Sequence, residues 1–338
     1  MKLLRNLGQT VLAFLHAKSW RKLNLFMFAP LLAFDFNYGI ENTNILSYDE
    51  ATYTHDFNRL RLEGTLEHKE YVPLLAKVII DNETRYSDQQ NHTTNETKIY
   101  RAYLEYAGEK HFMVLGRQRV PFGVGRLWNP IDVFNPIDSF STETAERKGT
   151  DAVRYEYAMS DLSNFDITVS KEKSAARVKG FLKYADFALV GVVDNENDRD
   201  IIGYEVEGEL FETMIELRSE GGIFHDRNNG ARYTEFIFGA DYGFRNSFTI
   251  LGEYRFNDET KRDYFGTSLS YQSTPLIILT LLNITQLKDL SSFTAPSIEY
   301  SISDEMTLRG GAFFYSGGDT DEFGSVPDSY YLNFYVHF

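Results

Sequence analysis

The chain has 338 residues, a formal net charge of -15 and no cysteine. The negative balance argues against a nucleic-acid partner. The missing cysteine excludes disulfides, thiolate metal centres, cysteine nucleophiles and a cysteine-linked lipid anchor.

Aromatics make up 15% of the chain, with 27 Phe and 22 Tyr but only 2 Trp. That usage favours strands and surfaces that meet a lipid interface. A mean hydropathy of -0.35 fits a soluble protein. It fits a transmembrane barrel equally, because half of a barrel's strand positions face water.

Residues 1–33 differ from the rest. Lys2, Arg5, Lys18, Arg21 and Lys22 are basic, and the first acid is Asp35. The apolar runs at 11–15 and 23–34 fall short of the roughly 20 residues a membrane helix needs. A basic start followed by a short apolar run reads as a secretory signal. An amphipathic helix is the alternative.

From residue 34 onward, apolar and polar residues alternate. Leu60, Leu62 and Leu66 oppose Arg59, Arg61 and Glu63. Tyr100, Ala102, Leu104 and Tyr106 oppose Arg101 and Glu105. Val153 and Tyr155 oppose Arg154 and Glu156. Ile202, Tyr204 and Val206 oppose Glu205 and Glu207. Ile250 and Tyr254 oppose Glu253 and Arg255. A period of two with one apolar and one charged face is the half-buried strand pattern. Short connections alternate with longer polar ones at 82–97, 119–150, 194–199, 221–230, 257–262, 286–292 and 316–328. Short turns on one rim and long loops on the other are the mark of an antiparallel transmembrane barrel. The predicted fold is all-β, a barrel of about eighteen strands over residues 34–338, with sixteen as the alternative.

The stretch 116–138 interrupts the alternation. Asn129-Pro130-Ile131-Asp132 returns as Asn135-Pro136-Ile137-Asp138. Asn-Pro disfavours the helical region before each proline, and Asx side chains cap tight turns. The apolar residues Val120, Phe122, Leu127, Trp128, Ile131, Val133, Phe134 and Ile137 argue for a loop packed onto something. Folding into the lumen is expected, with a cap over the mouth as the other option. Trp128 and Phe134 would pin the loop, and Asn129, Asp132, Asn135 and Asp138 would cap its turns. Arg117 and Arg126 would then lie near the constriction and favour anions. Arg59, Arg61, Arg101 and Arg154 are the inward wall arginines, either paired with wall acids or forming a basic ladder.

At the C-terminus, Tyr330, Leu332, Phe334, Val336 and Phe338 share one face. This alternation ending on an aromatic resembles the terminal strand by which outer-membrane barrels are recognised for insertion.

No catalytic motif is present: no Gly-x-Ser-x-Gly elbow, no His-Glu-x-x-His and no P-loop. The seven histidines lack ligand spacing, so no metal or cofactor is expected. The acidic stretches 194–200 and 319–322 read as solvated loops.

Gly116-Arg117-Gln118, Gly123, the two Asn-Pro-x-Asp repeats and the run 146–154 resemble a group of porin-like outer-membrane proteins. That group includes the alginate-export type barrels. Many relatives have Trp-Gly where this chain has Phe122-Gly123. The resemblance implies a non-enzymatic channel in the bacterial outer membrane that passes small or anionic solutes. Its partners would be membrane lipid and the barrel-assembly machinery; the solute and oligomeric state are left open. The alternatives are a barrel sheath for partner proteins such as electron-transfer cytochromes and, less favoured, an outer-membrane hydrolase.

Overall fold

A computed structural model describes residues 35–49, 54–68, 73–88, 91–143 and 146–338. The basic segment 1–33 lies outside the described residues. The described chain is one antiparallel sheet of 18 strands. The strands are β1 (Asp35–Asp49), β2 (Thr54–His68), β3 (Leu74–Ser87), β4 (His92–Ala107), β5 (His111–Gln118), β6 (Thr150–Ser160), β7 (Ser163–Ser170), β8 (Lys173–Leu182) and β9 (Ala185–Asp194). They continue with β10 (Arg199–Glu209), β11 (Ile215–Asp226), β12 (Arg232–Gly243), β13 (Phe248–Asn257), β14 (Arg262–Thr274), β15 (Ile277–Gln286), β16 (Ser292–Ser303), β17 (Met306–Ser316) and β18 (Ser329–His337). Each strand pairs with its neighbour in sequence, and β1 pairs with β18 through Glu41 to Asp49, which closes the barrel and leaves no free edge.

The two faces of the sheet separate by chemistry. Leu62, Val78, Leu104, Leu115, Val153, Leu189, Ile202, Val206, Phe265 and Leu332 are exposed on the outside. Arg59, Arg61, Asp81, Glu83, Arg101, Glu205, Arg218, Glu220, Glu235 and Glu253 are buried on the inside. An apolar exterior around a charged interior is stable only with hydrocarbon outside and water or protein within. On the last strand, Tyr330 and Leu332 are exposed, and Phe334 and Val336 share their parity.

Two sequence expectations need correction. Of the polar stretches read as long loops, 82–97 and 221–230 are mostly strand, and 194–199, 257–262 and 286–292 are short turns. β3 runs to Ser87 and β4 starts at His92, so 82–97 is mostly a paired hairpin. Only the connections 119–149 and 317–328 are long. The backbone ladder persists past the apolar belt, so a change to polar side chains does not mark a strand end. The second correction concerns β4. Its register against β3 shifts between Ile79 and Ile80, and the extra residue is Tyr100. This bulge turns Tyr100 inward beside Arg101, away from Ala102 and Leu104.

Candidate pore constriction

The connection 119–149 enters the barrel and is bound to its inner wall. Three wall glutamates hold its first half by the backbone. Glu205 of β10 accepts from the Gly123 N–H at 3.0 Å. Glu220 of β11 accepts from Val124 and, at 2.9 Å, from Gly125. Glu253 of β13 accepts from Arg126 at 3.0 Å, Leu127 at 3.1 Å and Trp128 at 2.9 Å. Glu220 and Glu253 are fully buried, so each carboxylate exchanges water for N–H donors that would otherwise lack partners. Glycine is required here. Gly123 has φ +82, and a Cβ on it would stand 2.5 Å from Glu220 Oε2. A Cβ on Gly125 would strike the Trp128 carbonyl.

Apolar contacts fix the same segment. Val120, Phe122, Ile131, Val133 and Phe134 form one buried cluster with Ala152, Ala175, Val190, Val192, Ile201, Phe224 and Tyr233 of the wall. Phe122 stacks on Phe134 with ring centroids 5.6 Å apart. Leu127 and Trp128 join a second cluster with Ile237, Tyr264, Ile284, Phe293 and Phe323. Burial of each such side chain contributes about 1.5–3 kcal/mol.

The Asx side chains organise the path between these anchors. Asn129 Oδ1 accepts from the Ile137 N–H at 2.8 Å, so the first repeat binds the second. Asp132 accepts from Phe134 at 3.1 Å and Asn135 at 2.8 Å. Asn135 Oδ1 accepts from Val120 at 2.6 Å. Asp138 accepts from Phe140 at 3.0 Å. Burial pushes the Asp132 carboxyl up to about 7, although the Asn135 and Phe134 N–H groups and the charges of Arg119 and Arg147 oppose it.

The second half of the loop crosses to β2. Arg59 donates to Glu143 at 2.6 Å. Arg61 lies between Asp81, at 2.8 Å, and Glu146, at 2.9 Å. Burial alone would raise Glu146, but hydrogen bonds from Arg61 and Tyr100 and the Arg59 and Arg61 charges hold it down at about 2. Tyr100 receives Arg61 on its ring at 4.0 Å and Arg101 at 4.2 Å.

The wall arginines are therefore mostly neutralised. Arg154 pairs with Asp166 at 2.6 Å and Glu156 at 2.8 Å. Arg126 projects into the lumen, yet meets Glu207 at 2.9 Å and Glu216 at 3.3 Å. Arg117 does not face the lumen. It shares the outward parity of Met113 and Leu115 and forms a pair at 2.7 Å with exposed Asp151. Two lumenal arginines have no carboxylate within salt-bridge distance among the described residues. Arg101 donates to the carbonyls of Tyr100 at 3.0 Å and Arg147 at 2.6 Å. Exposed Arg119 is the other. Both line a hollow with Lys77, Arg154, Glu105 and Tyr103.

The sequence matches no family model and no curated protein. Solved structures do match. Pseudomonas aeruginosa OccK5 (OpdH) superposes with a TM-score of 0.64 at 6% identity, covering 90% of this chain and 97% of that one. A double mutant of OccD1 (OprD) gives 0.60 at 9% identity, covering 92% and 96%. A mutant of the Rh. blastica porin gives 0.54 at 14% identity, covering 90% and 100%.

The fold is that of an outer-membrane porin.

The matches do not single out the alginate-export type barrels that the loop motif resembles. Within this porin fold, parity along β10, β11 and β13 was enough to turn Glu205, Glu220 and Glu253 inward. Nothing in their local sequence marks them as acceptors for a loop far away in the chain. Glu205 in particular reads as a water-facing wall residue, but the loop buries it against Gly123 and Arg177.

Proposed function

We propose that this chain is a bacterial outer-membrane channel for small solutes, with the loop 119–149 as its constriction. The observation that carries the reading is the loop's course through the lumen, tied to β2, β10, β11 and β13 by named contacts. The unpaired Arg101 and Arg119 favour anions in the section they line, in place of Arg117 and Arg126. Charge on a narrow wall sets ion selectivity. Segment 1–33 is the secretory signal, and β18 is the element the barrel-assembly machinery reads.

Single-channel recording in planar bilayers tests this reading. Discrete steps with an anion-selective reversal potential in a salt gradient are expected. Arg119→Gln should move that potential toward cations. Silence with a co-purifying haem protein would favour a sheath, and lipid hydrolysis by the pure protein a hydrolase. The comparisons lend neither any support.

A further inference from the structure

The connection 317–328 is the second long one. It carries Asp319, Asp321, Glu322 and Asp328 and no base. A connection so rich in acids belongs in water at the surface. Phe323 departs from that: it is 5% exposed, while Val326 of the same connection is 40% exposed. Phe323 belongs to the second apolar cluster, together with Leu127 and Trp128 of the constriction loop and Tyr264 and Phe293 of the wall. Every other member of that cluster lies on a strand or on the loop 119–149.

Two rings join this connection to the constriction loop. Phe140 of the loop has its centroid 5.9 Å from that of Phe323. Tyr264 of β14 touches both segments: its ring centroid is 6.1 Å from that of Trp128, and its hydroxyl donates to Glu322 Oε2 at 2.8 Å. Polar bonds set the depth of Phe323. Arg262 donates to Glu322 Oε2 at 3.0 Å. The Glu322 N–H donates to Asp289 at 3.2 Å, and the Phe323 N–H to Ser291 Oγ at 3.4 Å. Asp289 is itself fixed by the Ser291 N–H at 2.8 Å. At the far end, Asp328 accepts from the Tyr315 N–H at 2.8 Å.

We propose that 317–328 is a strap on the constriction loop, in which Phe323 and Glu322 are positioning residues that hold the Trp128 indole against β14. The backbone and the side chain of Trp128 are then held by different elements. Glu253 takes its N–H, and the strap packs its ring. Loss of the Phe323 ring leaves a void in a close-packed cluster, so the indole gains room while the backbone tie stays. For conduction the strap matters only if 119–149 is the constriction; the contact itself does not depend on that reading.

Trp128 reports on its own surroundings. The only other tryptophan is Trp20, so Trp20→Phe leaves a single indole in the full chain. In that background, with insertion into lipid vesicles verified by heat-modifiable mobility, Phe323→Ala should shift the Trp128 emission to the red and speed its quenching by acrylamide. Phe323→Leu should return both toward the parent. Val326→Ala, in the same connection but exposed, should change neither. If Phe323→Ala does not insert, Glu322→Lys reads the same shift, because it sets a cation against Arg262 and leaves the apolar cluster intact. Planar-bilayer recording of the shifted variants should show a higher unitary conductance than the parent. A Trp128 spectrum that none of these changes moves, or a Val326→Ala shift as large as that of Phe323→Ala, would overturn the proposal. A parent without current would sink the channel reading alone, and the emission would still decide the strap.

Discussion

Glu253 and Trp128 are joined through the backbone: the Trp128 N–H donates to Glu253 Oε1 at 2.9 Å. The same carboxylate takes the Arg126 and Leu127 N–H groups, so one wall residue satisfies three consecutive donors of the loop. The chain turns at this point, and the Trp128 indole lies against Tyr264 with ring centroids 6.1 Å apart.

Glu253→Leu should release this turn. Each orphaned N–H costs about 1–3 kcal/mol if it stays buried, so the segment is expected to leave the wall. Limited chymotrypsin digestion of the folded barrel should then cut near Trp128, where the parent resists. Resistance equal to the parent would show that the apolar clusters hold the loop without the carboxylate.

The pH dependence of loop seating has two windows. Asp132 sits at about 7 in the folded protein, above its ordinary 3.8. The docked loop therefore holds this proton more tightly than the free loop. Its contribution is full below about 3.8 and is lost as pH rises through 7. Glu146 runs the other way. Its folded value of about 2 lies below the ordinary 4.5, so its contribution is present above 4.5 and fades as pH falls toward 2. Between pH 5 and 8 Asp132 titrates while Glu146 stays ionised. Loop clipping at pH 8, relative to pH 5, should be slower in Asp132→Asn than in the parent. An identical ratio in the two proteins would remove Asp132 from the account.

The lipid-facing wall gives a third expectation. Val206→Arg and Leu104→Arg place a charge on exposed outward positions and should cost roughly 2–4 kcal/mol near mid-membrane. Glu105→Arg, which faces the lumenal hollow, should cost much less. Denaturant unfolding in lipid vesicles separates the two sets, and equal costs would mean that the faces are inverted. Glu205 is not a mild comparator, since the loop covers it.

Strand period, barrel closure and the inward course of the loop were legible in the sequence because each is a local pattern. Alternation names the face, and the Asn-Pro-Ile-Asp repeats with buried-type residues between them mark a packed loop. The partners were not legible. Arg126 meeting Glu207 and Glu216 depends on contacts between segments far apart in the chain. The bulge at Tyr100 arose from a pattern that looked regular. Arg117 stands next to the loop in sequence, but its parity with Met113 and Leu115 points it outward.

The central claim is that the loop 119–149 narrows a solute-conducting lumen. Deleting 125–141 removes the Glu253 contacts, the second apolar anchor and both Asn-Pro-Ile-Asp turns. The measurement is single-channel conductance of parent and deletion variant in planar bilayers, with insertion of both verified. A clear rise in unitary conductance with weakened anion selectivity is predicted. A deletion variant that inserts normally and conducts like the parent would contradict the claim and move the constriction to the wall at Arg59, Arg61 and Arg101.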